Sequence, residues 1–308
     1  MKTAFPLTLS ALLATALSAA PTLQQETEAR KPAPQFVRFL DEGDHKGKLQ
    51  TGIVTYKNSD GVSIDLIAVI HMADKPYFKN LEKSFEAYDA LLYEITKPKG
   101  EGVDSPKLRN HPMRRMMRMQ TRMMGLAGQM ETIDYTKPNF VHADLDLETF
   151  QRLCKEKGDS IMGTMMKSQR SVQKASGSPL ANPFGFASAK PGTDFRQAFK
   201  YSQAKQMQYL EQCKEGFTAG DDGIGSVLLI DRNKRCMEVL AERLEKGDKN
   251  LGIFYGAAHM PDFEQRLLKL GFKKTDQRWM TAWDIRPRNK DKKPASKKKA
   301  GKKRRRII

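Results

Sequence analysis

Cysteine is scarce: Cys154, Cys213 and Cys236 are the only three in 308 residues. An odd count cannot all pair within one chain, so no disulfide framework holds this fold together, although one bridge is allowed. Their spacing is not that of a zinc ribbon. Cys154 and Cys213 sit among apolar residues on helical patterns, as buried small hydrophobes do. Histidine is also rare, at five, and no HExxH occurs, which excludes the zincin signature. Beyond the N-terminal segment no apolar run is long enough to span a bilayer. Acids are in deficit, 36 against 54 Lys and Arg, which gives +18.

That charge is uneven. From Arg286 onward there are thirteen basic residues and one acid, so about +12 lies in the last 23 positions. The segment is nearly free of apolar residues and is expected to be a disordered polybasic tail over 286–308. An anionic polymer or a membrane surface suits it as a partner, and no specific nucleic acid is expected. At the other end Lys2 precedes an apolar, Ala-rich stretch with small residues near Ala19, the pattern of a signal peptide over 1–20 and hence of a secreted or periplasmic protein. A polar, Pro-containing linker is expected over 21–47, then a single α/β domain over 48–285.

Two strand–turn–helix units organise that domain. Ile64–Ile70 (IDLIAVI) is a buried-strand run ending in His71; Asp74 and Pro76 open a helix carrying Tyr77, Leu81, Phe85 and Tyr88 at helical spacing. The next strand, around Leu91–Ile95, ends near Glu94. Late in the chain, Leu251–Ala257 is a second apolar run; His259 follows a turn of small residues, Pro261 and Asp262 open a helix, and Gly271 closes it. Ligands and catalytic groups in open α/β sheets gather at the carboxyl ends of strands, where both imidazoles and Glu94 fall. Lys48–Tyr56 reads as a strand leading through Asp60-Gly61 into the first unit.

The middle, 97–245, reads as a mostly helical insertion. Met and Arg alternate at helical spacing over Met113–Met124, with Met113, Met116, Met117 and Met124 on one face and Arg114, Arg118 and Arg122 on another. The ordinary arrangement puts the methionines in the core and the arginines in water; the other use of such a face is to receive peptides or lipids. Phe140–Asp144 is a strand end bearing His142 and Asp144, and Asp146 caps a helix. A Gly/Pro-rich loop over 176–193 and one long helix over 223–247 complete the section. The fold class is therefore α/β: a central mixed sheet built from two β-α-β units at the N- and C-terminal parts, around a largely helical middle.

Ala68-Val69-Ile70-His71, Tyr93-Glu94 and Gly256-Ala257-Ala258-His259, with FVHADL at Phe140–Leu145 and DRNKRCMEVL at Asp231–Leu240, resemble the TraB/TIKI (GumN-like) family, related to the erythromycin-esterase and ChaN-like groups. Ala68 stands where the family has Gly. The resemblance covers roughly 51–285. It implies a metal-dependent hydrolase, peptidase-like as in the TIKI branch. His71, His259 and Glu94 would hold a divalent metal (Mn, Co, Zn or Fe), with His142 and Asp144 as further ligands. Arg232 and Asn233, at a family position, would bind substrate. Two imidazoles and a carboxylate make a first shell with an open position, and the substrate would be a peptide or an ester. A metal-free esterase, with a His as general base oriented by Glu94, uses the same residues. A non-catalytic peptide-, haem- or iron-binding protein of the cell envelope is the alternative from another class.

Overall fold

The strongest apolar runs become the middle of a sheet. The computed structural model describes residues 35–157, 194–210 and 226–287. The expected signal peptide, the 21–34 part of the linker, the 176–193 loop, Cys213 and the tail beyond Pro287 lie outside the described residues. A mixed sheet is built from β1 (Val37–Gly43), β2 (Lys46–Lys57), β3 (Ser63–Val69), β5 (Ala90–Tyr93), β7 (Phe140–His142), β8 (Asn250–Gly256) and β9 (Lys273–Ile285), in the order β1-β2-β3-β8-β5-β7 with β9 on β2. A second pairing joins two short strands, β4 (Met72–Ala73) and β6 (Ala127–Gly128).

β3, β8, β5 and β7 run parallel. β3, β5 and β8 are buried almost from end to end, as parallel strands covered on both faces must be. Gly252 leaves room for its neighbours: a Cβ on it would meet Leu91 Cδ1 at 2.7 Å, so that side chain would have to shift. The one charge within β3, Asp65, accepts from Thr55 Oγ1 at 2.5 Å, Tyr88 at 2.6 Å and Arg278 at 3.1 Å, so its burial leaves its oxygens satisfied. β2 is antiparallel to β3, and β9 is antiparallel to β2 along its whole length.

The two β-α-β units interleave. The first runs β3, α1 (Lys75–Phe85), β5; the second runs β8, α7 (Met260–Lys269), β9. β8 lies between β3 and β5, so the second unit supplies the strand that completes the first. α1 buries Tyr77, Phe78, Leu81 and Phe85; α7 buries Met260, Phe263 and Leu267, whereas Leu268 and Leu270, expected on the same apolar stripe, are exposed. Gly271 ends α7 at φ +84°, a left-handed position that suits glycine.

Several expectations need correction. Residues 37–43 are not linker but β1, which pairs with the first half of β2; its outer residues are exposed and charged, so its composition resembles a linker's. Within the mostly helical insertion, the strand end read at Phe140–Asp144 is β7, whose Phe140–His142 joins the main sheet beside Leu91–Tyr93. Its described helices are α2 (Pro106–Asn110), α3 (Pro112–Met124), α4 (Leu147–Glu156), α5 (Phe195–Met207) and α6 (Arg232–Glu245). Over its described residues the expected 223–247 helix is continuous but opens as a π-helical stretch, Ser226–Asp231, that runs directly into α6, and the Leu228 carbonyl there accepts from the Arg232 side chain at 3.3 Å. Asp146 caps α4 as read, accepting from Thr149 N at 2.7 Å, whereas the Asp74 carboxylate accepts from Asp284 N at 2.7 Å and does not cap α1. Arg286, expected to begin the tail, is bound to Glu42 and Asp284. Among the described residues no helix is long and apolar enough to cross a membrane.

On α3 two of the expected placements change over: Met124 is buried and Arg122 exposed as read, but Met116 and Arg114 trade sides. Met116, Met119 and Met123 are 42%, 66% and 46% exposed, while Arg114 is buried, donating to Val103 O at 3.0 Å and pairing with Glu131 at 3.5 Å.

Candidate functional site

Parallel strands that end at one edge bring their following residues together. In the sheet register Val69 stands beside Gly256 and Tyr93 beside Phe254. His71, two residues past β3, Glu94, one past β5, and His259, in the 3-10 turn Ala257–His259 after β8, therefore meet. The meeting point is Gly256. A Cβ there would lie 3.2 Å from Glu94 Oε2, 3.4 Å from His71 Nε2 and 3.6 Å from His259 Cδ2. The glycine is needed for space, since its backbone is not in the left-handed region.

Glu94 is buried. Its Oε2 accepts from Gly256 N at 2.5 Å and its Oε1 from Arg232 Nη2 at 2.8 Å, with His259 Nε2 3.5 Å from Oε1. Burial works against the charge on Glu94, but the Arg232 guanidinium and the two imidazoles outweigh it and hold the carboxyl well below the usual range. Arg232 opens α6. It donates from Nε to Asp144 Oδ1 at 2.9 Å and from Nη2 to Asp144 Oδ2 at 2.6 Å, a bidentate grip on a fully buried side chain. Burial opposes the guanidinium's charge too, and Asp144 and Glu94 more than compensate, pushing its pKa up.

Each histidine is held by a carboxamide. His259 Nδ1 lies 2.6 Å from Asn233 Oδ1. The Asn233 amide is fixed because its Nδ2 donates to Asp262 Oδ2 at 2.8 Å and to His259 O at 3.3 Å. His259 therefore carries a proton on Nδ1, and its Nε2 is turned toward Glu94. His71 Nδ1 lies 2.8 Å from Gln129 Oε1, and Gln129 Nε2 donates to Tyr135 at 2.9 Å. His71 Nε2 then carries the lone pair on the Gly256 side. His259 is buried, whereas His71 is exposed and solvent reaches it.

The remaining expected residues have other partners. His142 Nε2 donates to Ile95 O at 2.7 Å, and burial lowers its pKa. Asp144 is taken up by Arg232 and by Leu145 N at 2.8 Å, so neither it nor His142 joins the His71–Glu94–His259 group. Asn233 is buried and Arg232 nearly so; most of their donors are spent inside the protein, where they position His259 and Glu94. Gln129 was not signalled by any motif: it follows α3 in a loop, 58 residues from the histidine it holds.

The donor types suit a divalent cation, since two Nε2 atoms backed by carboxamides and one carboxylate are the groups such ions take. The arrangement as it stands does not gather them: both Glu94 oxygens are committed, a guanidinium stands beside one of them, and among the described residues no three His, Cys, Asp or Glu side chains are placed to hold a metal ion. No family model, curated protein or solved structure matches the chain.

Proposed function

We propose that this chain is a secreted or periplasmic hydrolase of the TraB/TIKI type, cleaving a peptide or an ester by acid–base chemistry at His71, Glu94 and His259. The supporting observation is that two imidazoles, each held by a carboxamide, meet one ionised, buried carboxylate at Gly256. His71 is the member that solvent reaches. Its Nε2 lone pair takes a proton from water as that water attacks the carbonyl, and the Glu94 charge stabilises the resulting imidazolium. His259 Nε2 lies 3.5 Å from Glu94 Oε1, and His259 is the member that passes a proton to the leaving group. Arg232 and Asp144 keep Glu94 ionised and in place, while Gln129 and Asn233 fix the two tautomers.

The carboxamide behind each Nδ1 favours a second reading, a metal-assisted hydrolase. His71, His259 and Glu94 would hold Mn, Co, Zn or Fe, and the ion would lower the pKa of a bound water and polarise the carbonyl.

The test is hydrolysis of chromogenic esters and fluorogenic peptides by chelator-treated protein, before and after adding each metal, beside His71→Ala and Glu94→Gln. Turnover that survives chelation and is lost in both variants supports the acid–base reading. Turnover only after metal addition supports the second. A folded protein that hydrolyses nothing under any condition overturns both and leaves the envelope-binding alternative.

A further inference from the structure

α3 turns two parallel rows outward. Met116, Met119 and Met123 form the apolar row, large hydrophobics exposed on the helix among the described residues, spanning about 10 Å at the helical rise. Arg115, Arg118 and Arg122 form the basic row at the same spacing beside it. The helix holds no acid, and Arg114, on its buried face, fixes which side points out by its bonds to Val103 O and Glu131.

The basic row borders a groove of about 420 Å³ between α1 and α3, floored by Leu126, Ala127 and Gly128. Across it, α1 contributes Lys75 and Lys79. The groove's two acids are engaged: Glu82 accepts from Asp134 N at 2.8 Å, and Glu131 pairs with Arg114. Its cations are largely free. Lys75, Lys79 and Arg122 have no ion pair or side-chain hydrogen bond among the described residues, and Arg118 has only the Arg109 carbonyl at 2.9 Å.

An apolar row flanked by unpaired cations is what a helix lying in the headgroup layer of an anionic bilayer carries. We propose that the α1/α3 face docks this protein on an anionic membrane surface, with Met116, Met119 and Met123 entering the interfacial layer and the groove cations taking up lipid phosphates. An acidic protein or a soluble polyanion would use the cations and leave the methionines in water. The bilayer is the partner that uses both rows. The docking is independent of the hydrolytic site, although Gln129, which holds His71, directly follows the groove floor.

The test is sedimentation of the full chain with phosphatidylglycerol/phosphatidylcholine vesicles, with pure phosphatidylcholine vesicles and with soluble polyphosphate as references. The variants are Met116→Ser/Met119→Ser/Met123→Ser and Lys79→Glu/Arg122→Glu. Every variant keeps the polybasic tail, so the tail's own attraction cancels. All five positions are at the surface or lining the groove, and an unchanged melting temperature checks that each variant folds. Each variant is expected to lose about tenfold or more in partition to anionic vesicles. The wild type is expected to ignore neutral vesicles and to retain binding at high salt better than the methionine variant does. Wild-type partition in the methionine variant overturns the proposal. So does binding to polyphosphate and to anionic vesicles that depends on the cations alone.

Discussion

Arg232→Met is the perturbation with the clearest consequence. The substitution keeps roughly the volume and removes a buried guanidinium that makes three charge-assisted bonds of 2.6–2.9 Å to Asp144 and Glu94. What remains is two buried carboxylates without their cation. Breaking a buried pair from one side costs about 3–5 kcal/mol, because the surviving charge is uncompensated. At about 2–4 °C per kcal/mol for a domain of this size, the melting temperature should fall by about 10 °C. The pH dependence has a definite sign. In the wild type the Glu94 carboxyl is held well below its ordinary value, so its contribution is present above the unfolded-state pKa and is lost as pH falls through the folded one. Removing Arg232 moves that folded value upward. The deficit of Arg232→Met is therefore smallest in acid and grows toward pH 7. Urea denaturation followed by circular dichroism at pH 4 and pH 7 measures it. Asp144→Asn supplies a sharper check: it should destabilise the wild type and stabilise the Arg232→Met background, since there it removes one of the stranded charges. A deficit under about 1 kcal/mol at neutral pH, or Asp144→Asn destabilising both backgrounds equally, would refute the argument.

Other outcomes follow from single contacts. Gly256→Ala places a methyl 3.2 Å from Glu94 Oε2 and 3.4 Å from His71 Nε2, so hydrolysis should fall at least tenfold while the melt moves by only a few degrees; full activity would show that the three groups do not act from this point. Gln129→Ala frees the His71 ring and should cost about 10–100-fold in rate with little loss of stability, as supporting partners of reactive histidines do, and Gln129→Glu should restore part of it and shift the pH–rate profile. Asp146→Ala removes the α4 cap and should cost about 1 kcal/mol in urea unfolding without touching activity.

The positions of the site were legible in the sequence, and their partners were not. β3 and β8 are apolar without a break and each ends in a turn before a histidine, so placing His71, Glu94 and His259 at one edge needed only the rule that parallel strands share a direction. β7 ends at that edge as well, yet Asp144 faces Arg232 and His142 faces Ile95 O; which way a side chain turns depends on neighbours that local sequence does not name. Gln129 reaches His71 across 58 residues and carried no periodic or motif signal. On α3 the sorting into a methionine face and an arginine face did not hold, since Met124 is buried but Met116 exposed, and Arg122 is exposed but Arg114 buried. Residue type misled there, because Arg114 finds a backbone carbonyl inside and the exposed Glu131 carboxylate beside it, while three methionines remain outside. β1 hid behind its own exposed half.

The interleaving of the two units has a consequence for how the protein is made. β3 and β5 leave the ribosome early, but β8, the strand between them, begins only at Asn250, and β9, which covers the far edge of β2, ends at Ile285. Until nearly the whole domain has been synthesised, two apolar strands wait with unpaired edges, a template for wrong pairing. The sheet can close only after synthesis of the domain is almost complete, and a stop before Asn250 leaves a product without the strand that joins β3 to β5.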